Sequence, residues 1–355
     1  MAKIKIICPG CGQPFECGEK HRGNKIKCAL CKHVILVPQL SPIYAVAIKR
    51  RRAKRKFLIV AGILLAVIVM AALWIYEPVI IHWPDRRPIG TLFLASNSSS
   101  SPTNPRGWFN DPSLDFVGTN GTQQFRKALL EYTDRSIEIL KRTGAQGVIV
   151  WDLEGQQYPH KTTYIGDPRF LDQLAPEMAL VADEFFARLR NAGFKVGLTV
   201  RPQQLIFDRG WPQQTQVLDI KKNLIEKIDY ARTNWGATLF YIDSNGGIRR
   251  PDEVWQLRSL AKQRPDVLLI PEHSYLPYWT VSAPYASLRK NESPTTARWA
   301  RKLYAGTFQV VDIGDASNEA AKITLAWDQG DILLFRAWFW SPECALLEGL
   351  SREKK

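Results

Sequence analysis

Residues Phe57 to Tyr76, FLIVAGILLAVIVMAALWIY, are twenty consecutive positions without a charge. A helix rises about 1.5 Å per residue, so this run reaches about 30 Å, the thickness of a bilayer's hydrocarbon. Directly before it stands KRRRAKRK, Lys49 to Lys56, in which seven of eight residues are Lys or Arg. Trp74 and Tyr76 close the far end, where interfacial aromatics sit. The segment predicts a retained membrane anchor over 57–76. A cleaved signal peptide has an apolar stretch of about 7–15 residues behind a short basic front. Here fifty-six residues come first. The basic flank predicts a single-pass protein of the cell membrane with residues 1–56 cytoplasmic and the C-terminal part extracytoplasmic.

The chain's formal charge of +14 would suit a nucleic-acid binder. Its distribution argues otherwise. Residues 1–56 hold fourteen Lys and Arg against two Glu, while residues 57–355 hold thirty-four against thirty-two acids. The basic character is N-terminal and membrane-proximal. Anionic lipid is therefore the expected partner of the linker 41–56, and nucleic acid is not.

Two Cys-x-x-Cys knuckles lie in the first forty residues: Cys8 with Cys11, and Cys28 with Cys31. Sixteen residues separate the pairs, a spacing that suits a zinc ribbon over 1–40. Zinc takes four thiolates in a tetrahedron, and each knuckle offers two from one tight turn. So short a segment buries little, so the metal would supply most of its folding free energy. The stretch resembles small bacterial zinc ribbons down to Val37-Pro38. Cys17 is left over and reads as a small apolar residue. Only Cys344 lies beyond the anchor, so no outer disulfide is needed. A cytoplasmic protein partner for the ribbon is one open reading.

After a linker at 77–89, strand-like runs alternate with helix-like ones. The strand-like runs are 91–97, 147–155, 195–202, 237–247, 267–274, 285–289, 307–315 and 331–340. Helical patterns fall at about 122–142, 175–192, 215–234, 252–263 and 317–328. Near-continuous apolar strands alternating with helices predict a parallel sheet, and eight such units predict a (β/α)8 barrel over 90–345. Loops after strands are long and loops before them short, which places function at the strands' C-terminal ends. An open doubly wound sheet is the alternative, but no Gly-x-Gly-x-x-Gly follows the first strand.

The strand tips carry Trp151, Asp152 and Glu154, then Arg201, Asp243, Glu272, Asp312 and Asp315, with Trp338 at the last. Several carboxylates around one pocket mouth suit glycoside hydrolysis, in which one acid protonates the leaving oxygen and another attacks or activates water. Aromatic faces in the loops can stack on sugar rings. NAGFKVGLTVRP and YARTNWGATLFYIDSNGG resemble the retaining α-glycosidases of the melibiase and α-glucosidase group over about residues 190–247. In that group the fourth strand ends in the aspartate nucleophile, a position that matches Asp243. The group's acid/base aspartate follows strand six, where this chain offers only Glu292. The α-amylase order of Asp, Glu and Asp after strands four, five and seven matches Asp243, Glu272 and Asp312. Two departures stand against it: Tyr241 occupies the place of that family's arginine, and DIGD replaces its His-Asp.

The expectation is a membrane-anchored glycoside hydrolase-like barrel that acts on a carbohydrate, with Asp243 and Glu272 catalytic. Trp151, Asp152, Glu154, Arg201, Asp312 and Trp338 would line the site, with no metal in the barrel. The alternatives are a non-catalytic glycan-binding barrel and a regulatory membrane protein whose ribbon binds a partner.

Overall fold

In KIKII, residues 3–7, lysine alternates with isoleucine, the period of a strand with one wet face. It forms β1 (Lys3–Ile7), antiparallel to β2 (Pro14–Gly18), and β3 (Lys25–Lys27) pairs with β4 (Val34–Leu36). The inner faces meet in a minimal core of Cys8, Cys28 and Ile35, with Ile6 and Phe15 packed against it. Residues 56–67 form helix α1, whose Phe57, Leu58, Ile63 and Leu65 are exposed. The computed structural model describes residues 3–39, 56–67, 83–94, 119–155, 164–246, 249–250, 252–314, 317–337 and 341–353. Residues 68–76 of the expected anchor, 41–55 of the first linker and 77–82 of the second lie outside these. Among the described residues, no helix is long and apolar enough to cross a membrane.

The chain divides into two compact units, Met1–Tyr76 and Glu77–Lys355. The second is a nearly closed barrel. It begins with β5 (Ile89–Leu92), α2 (Thr119–Arg142) and β6 (Gly147–Val150). Short helices α3 (Leu171–Leu174) and α4 (Pro176–Ala179) lead to α5 (Ala182–Asn191) and β7 (Lys195–Val200). A hairpin, β8 (Gln204–Asp208) and β9 (Trp211–Thr215), precedes α6 (Ile220–Trp235) and β10 (Leu239–Ile242). Then come α7 (Asp252–Gln263), β11 (Leu268–Pro271), β12 (Tyr285–Ser287) and α8 (Arg298–Leu303). The chain ends with β13 (Val310–Asp312), α9 (Ala320–Asp328), β14 (Ile332–Arg336) and α10 (Pro342–Glu353).

Eight strands join in the order β11-β10-β7-β6-β5-β14-β13-β12, and every neighbouring pair is parallel. The first barrel strand lies between the second and the eighth, an arrangement that the open doubly wound sheet does not have. At the seam between β11 and β12, the Ala283 amide donates to the Leu269 carbonyl at 3.1 Å. Alternation along each strand divides the core. Ile149, Leu239, Ile270, Val310 and Ile332 point into the barrel, while Val148, Val150, Phe240 and Leu269 pack outward with the helices. All eight strands fall within or beside the runs read from the sequence. The hairpin β8–β9 does not: its segment reads as loop, yet it pairs five residues in register from Gln204–Thr215 to Asp208–Trp211.

Candidate functional site

The tip of β10 organises the C-terminal rim. Ser244, the residue after Asp243, holds a left-handed backbone at φ 56°, a conformation that non-glycine residues rarely adopt. In that pose its amide donates to Glu272 Oε2 at 2.9 Å and its hydroxyl donates to Asp243 Oδ2 at 3.1 Å. One residue thus ties together the two carboxylates singled out from the sequence. Arg201, at the tip of β7, places its Nε 2.8 Å from Asp243 Oδ2, and its guanidinium also donates to the Ser244 hydroxyl. Burial pushes the Asp243 carboxyl above the usual range. Arg201 pulls it down, and the nearby charge of Glu272 pushes it up again. Arg201 therefore opposes the shift without cancelling it. Gly166 makes room for Arg201: at φ +63° its carbonyl accepts the Arg201 amide, and a Cβ there would sit 2.7 Å from Arg201 Cγ.

Beneath Arg201 lies a buried ionic network. Lys227, wholly buried on α6, donates from Nζ to the carbonyls of Arg201 at 2.8 Å and Gln203 at 2.7 Å, and lies 3.3 Å from Asp167 Oδ2. Asp167 also takes two 2.8 Å bonds from Arg169. Gln203 in turn donates to the Ser244 carbonyl at 2.9 Å. Burial drives the Lys227 ammonium down to about 8, against the pull of Asp167. The sequence held a signal for this network. Ile220, Asn223, Leu224, Lys227, Ile228 and Ala231 are the buried face of α6, so an amide and a cation interrupt an apolar stripe.

A second chain of bonds supports Glu272. Its amide donates to Asn245 Oδ1 at 2.8 Å, and Asn245 donates to the Tyr278 hydroxyl at 2.7 Å. That hydroxyl donates to Glu253 Oε2 at 3.1 Å, and burial raises the Glu253 carboxyl. In sequence Asn245 reads only as part of the strand tip and Tyr278 as one loop aromatic among many, and Glu253 carries no signal, since only long-range contacts bring the three together.

The other expected site residues have partners of their own. Trp151 lies inside the barrel, stacked on Tyr241 at 4.4 Å between ring centroids and edge-on to Tyr164 at 6.3 Å. Asp152 is fully buried and accepts the Leu94 amide at 2.6 Å, tying the tips of the first two strands. Burial raises the Tyr164 hydroxyl, with Asp152 and Asp243 adding to the rise, so both acids act on that ring. Glu154 is also buried and acts electrostatically on Lys227. Asp312 accepts the Tyr285 hydroxyl at 2.6 Å and the Gly314 amide at 2.9 Å, with Arg289 at 3.7 Å. Trp338 and Asp315 lie outside the described residues. Glu292 bonds back to the Ser287 amide at 2.7 Å.

A cavity of about 850 Å³ opens beside this cluster. Gln203, Ser244, Asn245, Glu253, His273 and Tyr275 are among its lining residues, with Arg249 and Arg250. The neighbours of both carboxylates line it, rather than Asp243 and Glu272 themselves.

In the first unit, the ligand atoms of Cys8, Cys11, Cys28 and Cys31 lie within 4.8 Å of one another. The Cys8–Cys31 and Cys11–Cys28 sulfur pairs stand 3.5 and 3.9 Å apart. Disulfides need about 2.05 Å, whereas zinc–sulfur bonds of about 2.3 Å in a tetrahedron put sulfurs about 3.8 Å apart. The donor set and spacing fit zinc. The Cys31 and Leu30 amides lower the Cys28 thiol to about 6. For Cys11 the Gln13 amide acts downward, but burial and the other three thiols push it up to about 12. Cys17 stands apart on β2, opposite Ile4 and half-buried.

No protein-family model matches the sequence, and no curated protein does. Among solved structures, the fold is similar to a Thermotoga maritima α-fucosidase, at TM-score 0.42 and 11% identity over 78% of this chain and 74% of that one. It is similar also to a Geobacillus thermoleovorans α-amylase complexed with acarbose, at TM-score 0.47 and 13% identity over 76% and 79%. An α-amylase from Anoxybacillus scores 0.46 at 10% identity, again over 76% and 79%.

Proposed function

We propose that this chain is a membrane-anchored, extracytoplasmic glycoside hydrolase-like protein acting on a carbohydrate through Asp243 and Glu272. The observation that carries the reading is Ser244, whose left-handed backbone fastens both carboxylates at one barrel rim. Strain of this kind costs about 1–3 kcal/mol and persists where the surroundings enforce it, typically at functional sites. Asp243 is the attacking or charge-stabilising group. Among the described residues its hydrogen bonds and ion pair fall on Oδ2, which leaves Oδ1 for an anomeric carbon. Glu272, about one-fifth exposed, is the acid/base that protonates the departing oxygen. Arg201 aims Asp243 and favours its ionised form. The charge-free run Phe57–Tyr76 and its basic flank support the anchored topology, with the ribbon cytoplasmic and holding zinc.

Asp243→Asn and Glu272→Gln are each expected to lower kcat/KM on aryl-glycosides by at least about 10²-fold. Unchanged turnover in either variant would remove the catalytic pairing. A second reading, a glycan-binding barrel without turnover, is favoured by the cavity's lining of neighbours rather than of the two carboxyls. It predicts glycan binding by calorimetry with no hydrolysis in the wild type. Arg201→Gln adds a pH test. Arg201 lowers the Asp243 pKa, so its loss raises that pKa further, and the acid limb of the kcat/KM profile should move to higher pH. An unmoved acid limb would show that another group sets it.

A further inference from the structure

We infer that the outer face of the second ribbon hairpin docks on an anionic lipid surface. The inference rests on the anchored topology proposed above. In β3 and β4, Lys25 pairs with Leu36 and Lys27 with Val34, and all four side chains are exposed. Ile35 points the other way, into the cysteine core. The sheet's free face is therefore half lysine and half aliphatic, with Leu36 61% and Val34 49% exposed. Leu30, in the adjoining knuckle, is 73% exposed. The two acids of this segment are engaged elsewhere: Glu16 lies 3.2 Å from Lys3, and Glu19 lies 3.6 Å from Arg22. Among the described residues neither Lys25 nor Lys27 is paired with an acid.

The mixture selects the partner. A nucleic-acid backbone would satisfy the lysines but leave Val34, Leu36 and Leu30 in water. A bilayer surface takes both, since aliphatic side chains enter the acyl boundary while ammonium groups meet anionic headgroups. Reach agrees. The sixteen residues 41–56 extend to at most about 56 Å at about 3.5 Å each, so the ribbon cannot leave the vicinity of the anchor. A tether of that length replaces free association with an intramolecular one, so even a weak face stays occupied.

The test uses the full zinc-loaded chain in nanodiscs of phosphatidylcholine, with or without one-third phosphatidylglycerol. Acetylation of individual lysines by a water-soluble ester is read by mass spectrometry. Lys25 and Lys27 should react at least about fivefold more slowly in the anionic discs, the factor that one surface-bound lysine contributes. Lys222 and Lys262, exposed on the barrel's helices, serve as controls and should not change. Val34→Glu with Leu36→Glu should abolish the protection while zinc content stays at one per chain. Equal rates in both discs, protection that survives the double variant, or protection by duplex DNA in neutral discs would each overturn the inference. Resistance to alkaline carbonate extraction reads the anchor separately. A chain that washes off the bilayer is assayed against anionic vesicles in solution, where the same two lysines still decide.

Discussion

Chelator added to the zinc-loaded protein is expected to unfold residues 3–39 while the barrel stays folded. The ribbon's core holds Cys8, Cys28 and Ile35, flanked by Ile6 and Phe15, and two of the three central members belong to the four-cysteine cluster. Its hairpins pair five and three residues, and isolated two-stranded hairpins are marginal in water. Apolar burial on this scale cannot offset the backbone entropy of ordering the segment, at about 1–2 kcal/mol per residue. Structural zinc in comparable peptides supplies about 10–16 kcal/mol at neutral pH, which decides the balance. Cys28→Ser should therefore mimic the chelator and release the metal. Cys17→Ser should do neither, since its sulfur lies outside the cluster. Amide exchange resolved by segment measures both. Equal loss from Cys17→Ser and Cys28→Ser would mean that the ligand set is wrong.

What the sequence reveals and what it hides follow from range. The barrel strands are legible because each is a short apolar run ended by a polar tip, and burial on both faces leaves little room for other patterns. The hairpin β8–β9 is harder to see because WPQQT carries a proline and three polar residues rather than an apolar run, and only Leu205 and Pro212 of its ten residues are buried. Its one local mark is Arg209-Gly210, both at positive φ, the requirement of a two-residue hairpin turn. Arg201, Asp243 and Glu272 are legible as charged tips of apolar strands. Asp152 and Asp312 look the same in sequence, yet one ties two strand tips and the other receives Tyr285. A strand tip tells where a carboxylate stands, but its partners arrive from strands and loops far along the chain. Ser244 is the extreme case. Its role depends on a backbone angle that no local pattern encodes, since YIDSNGG offers Gly246 as the more obvious left-handed residue.

Lys227→Met should separate holding the site in place from holding the protein together. Lys227 is wholly buried, and its ammonium sits near 8 in the fold against an ordinary 10.5. Between those values the unfolded chain binds more protons than the native one, so stability gained from this residue rises with pH across about 8 to 10.5. At about 1.36 kcal/mol per unit, the rise is about 3 kcal/mol. Below pH 8 the native state carries the full cost of a buried charge, partly offset by Asp167 at 3.3 Å. Methionine removes that cost along with the bonds to the Arg201 and Gln203 carbonyls, so at pH 7 the two effects oppose each other. Asp167 keeps its two bonds from Arg169 and is not left as a lone buried charge. The stability of the wild type minus that of the variant should then rise by about 3 kcal/mol from pH 7 to 10.5, as measured by urea titration at each pH. Parallel pH curves would show that Lys227 does not titrate in this window. Activity should respond differently. With the Arg201 and Gln203 carbonyls released, their side chains lose the platform that aims them at Asp243 and Ser244. Misplacement of about 1 Å at a reacting group can cost about 10²-fold, so kcat should fall at pH 7 even where stability barely changes. Full kcat in a variant that shows this pH-dependent difference would confine Lys227 to folding and leave Asn223, which bonds the Pro202 and Gln203 carbonyls at 3.0 and 2.8 Å, as the element that positions the tip of β7.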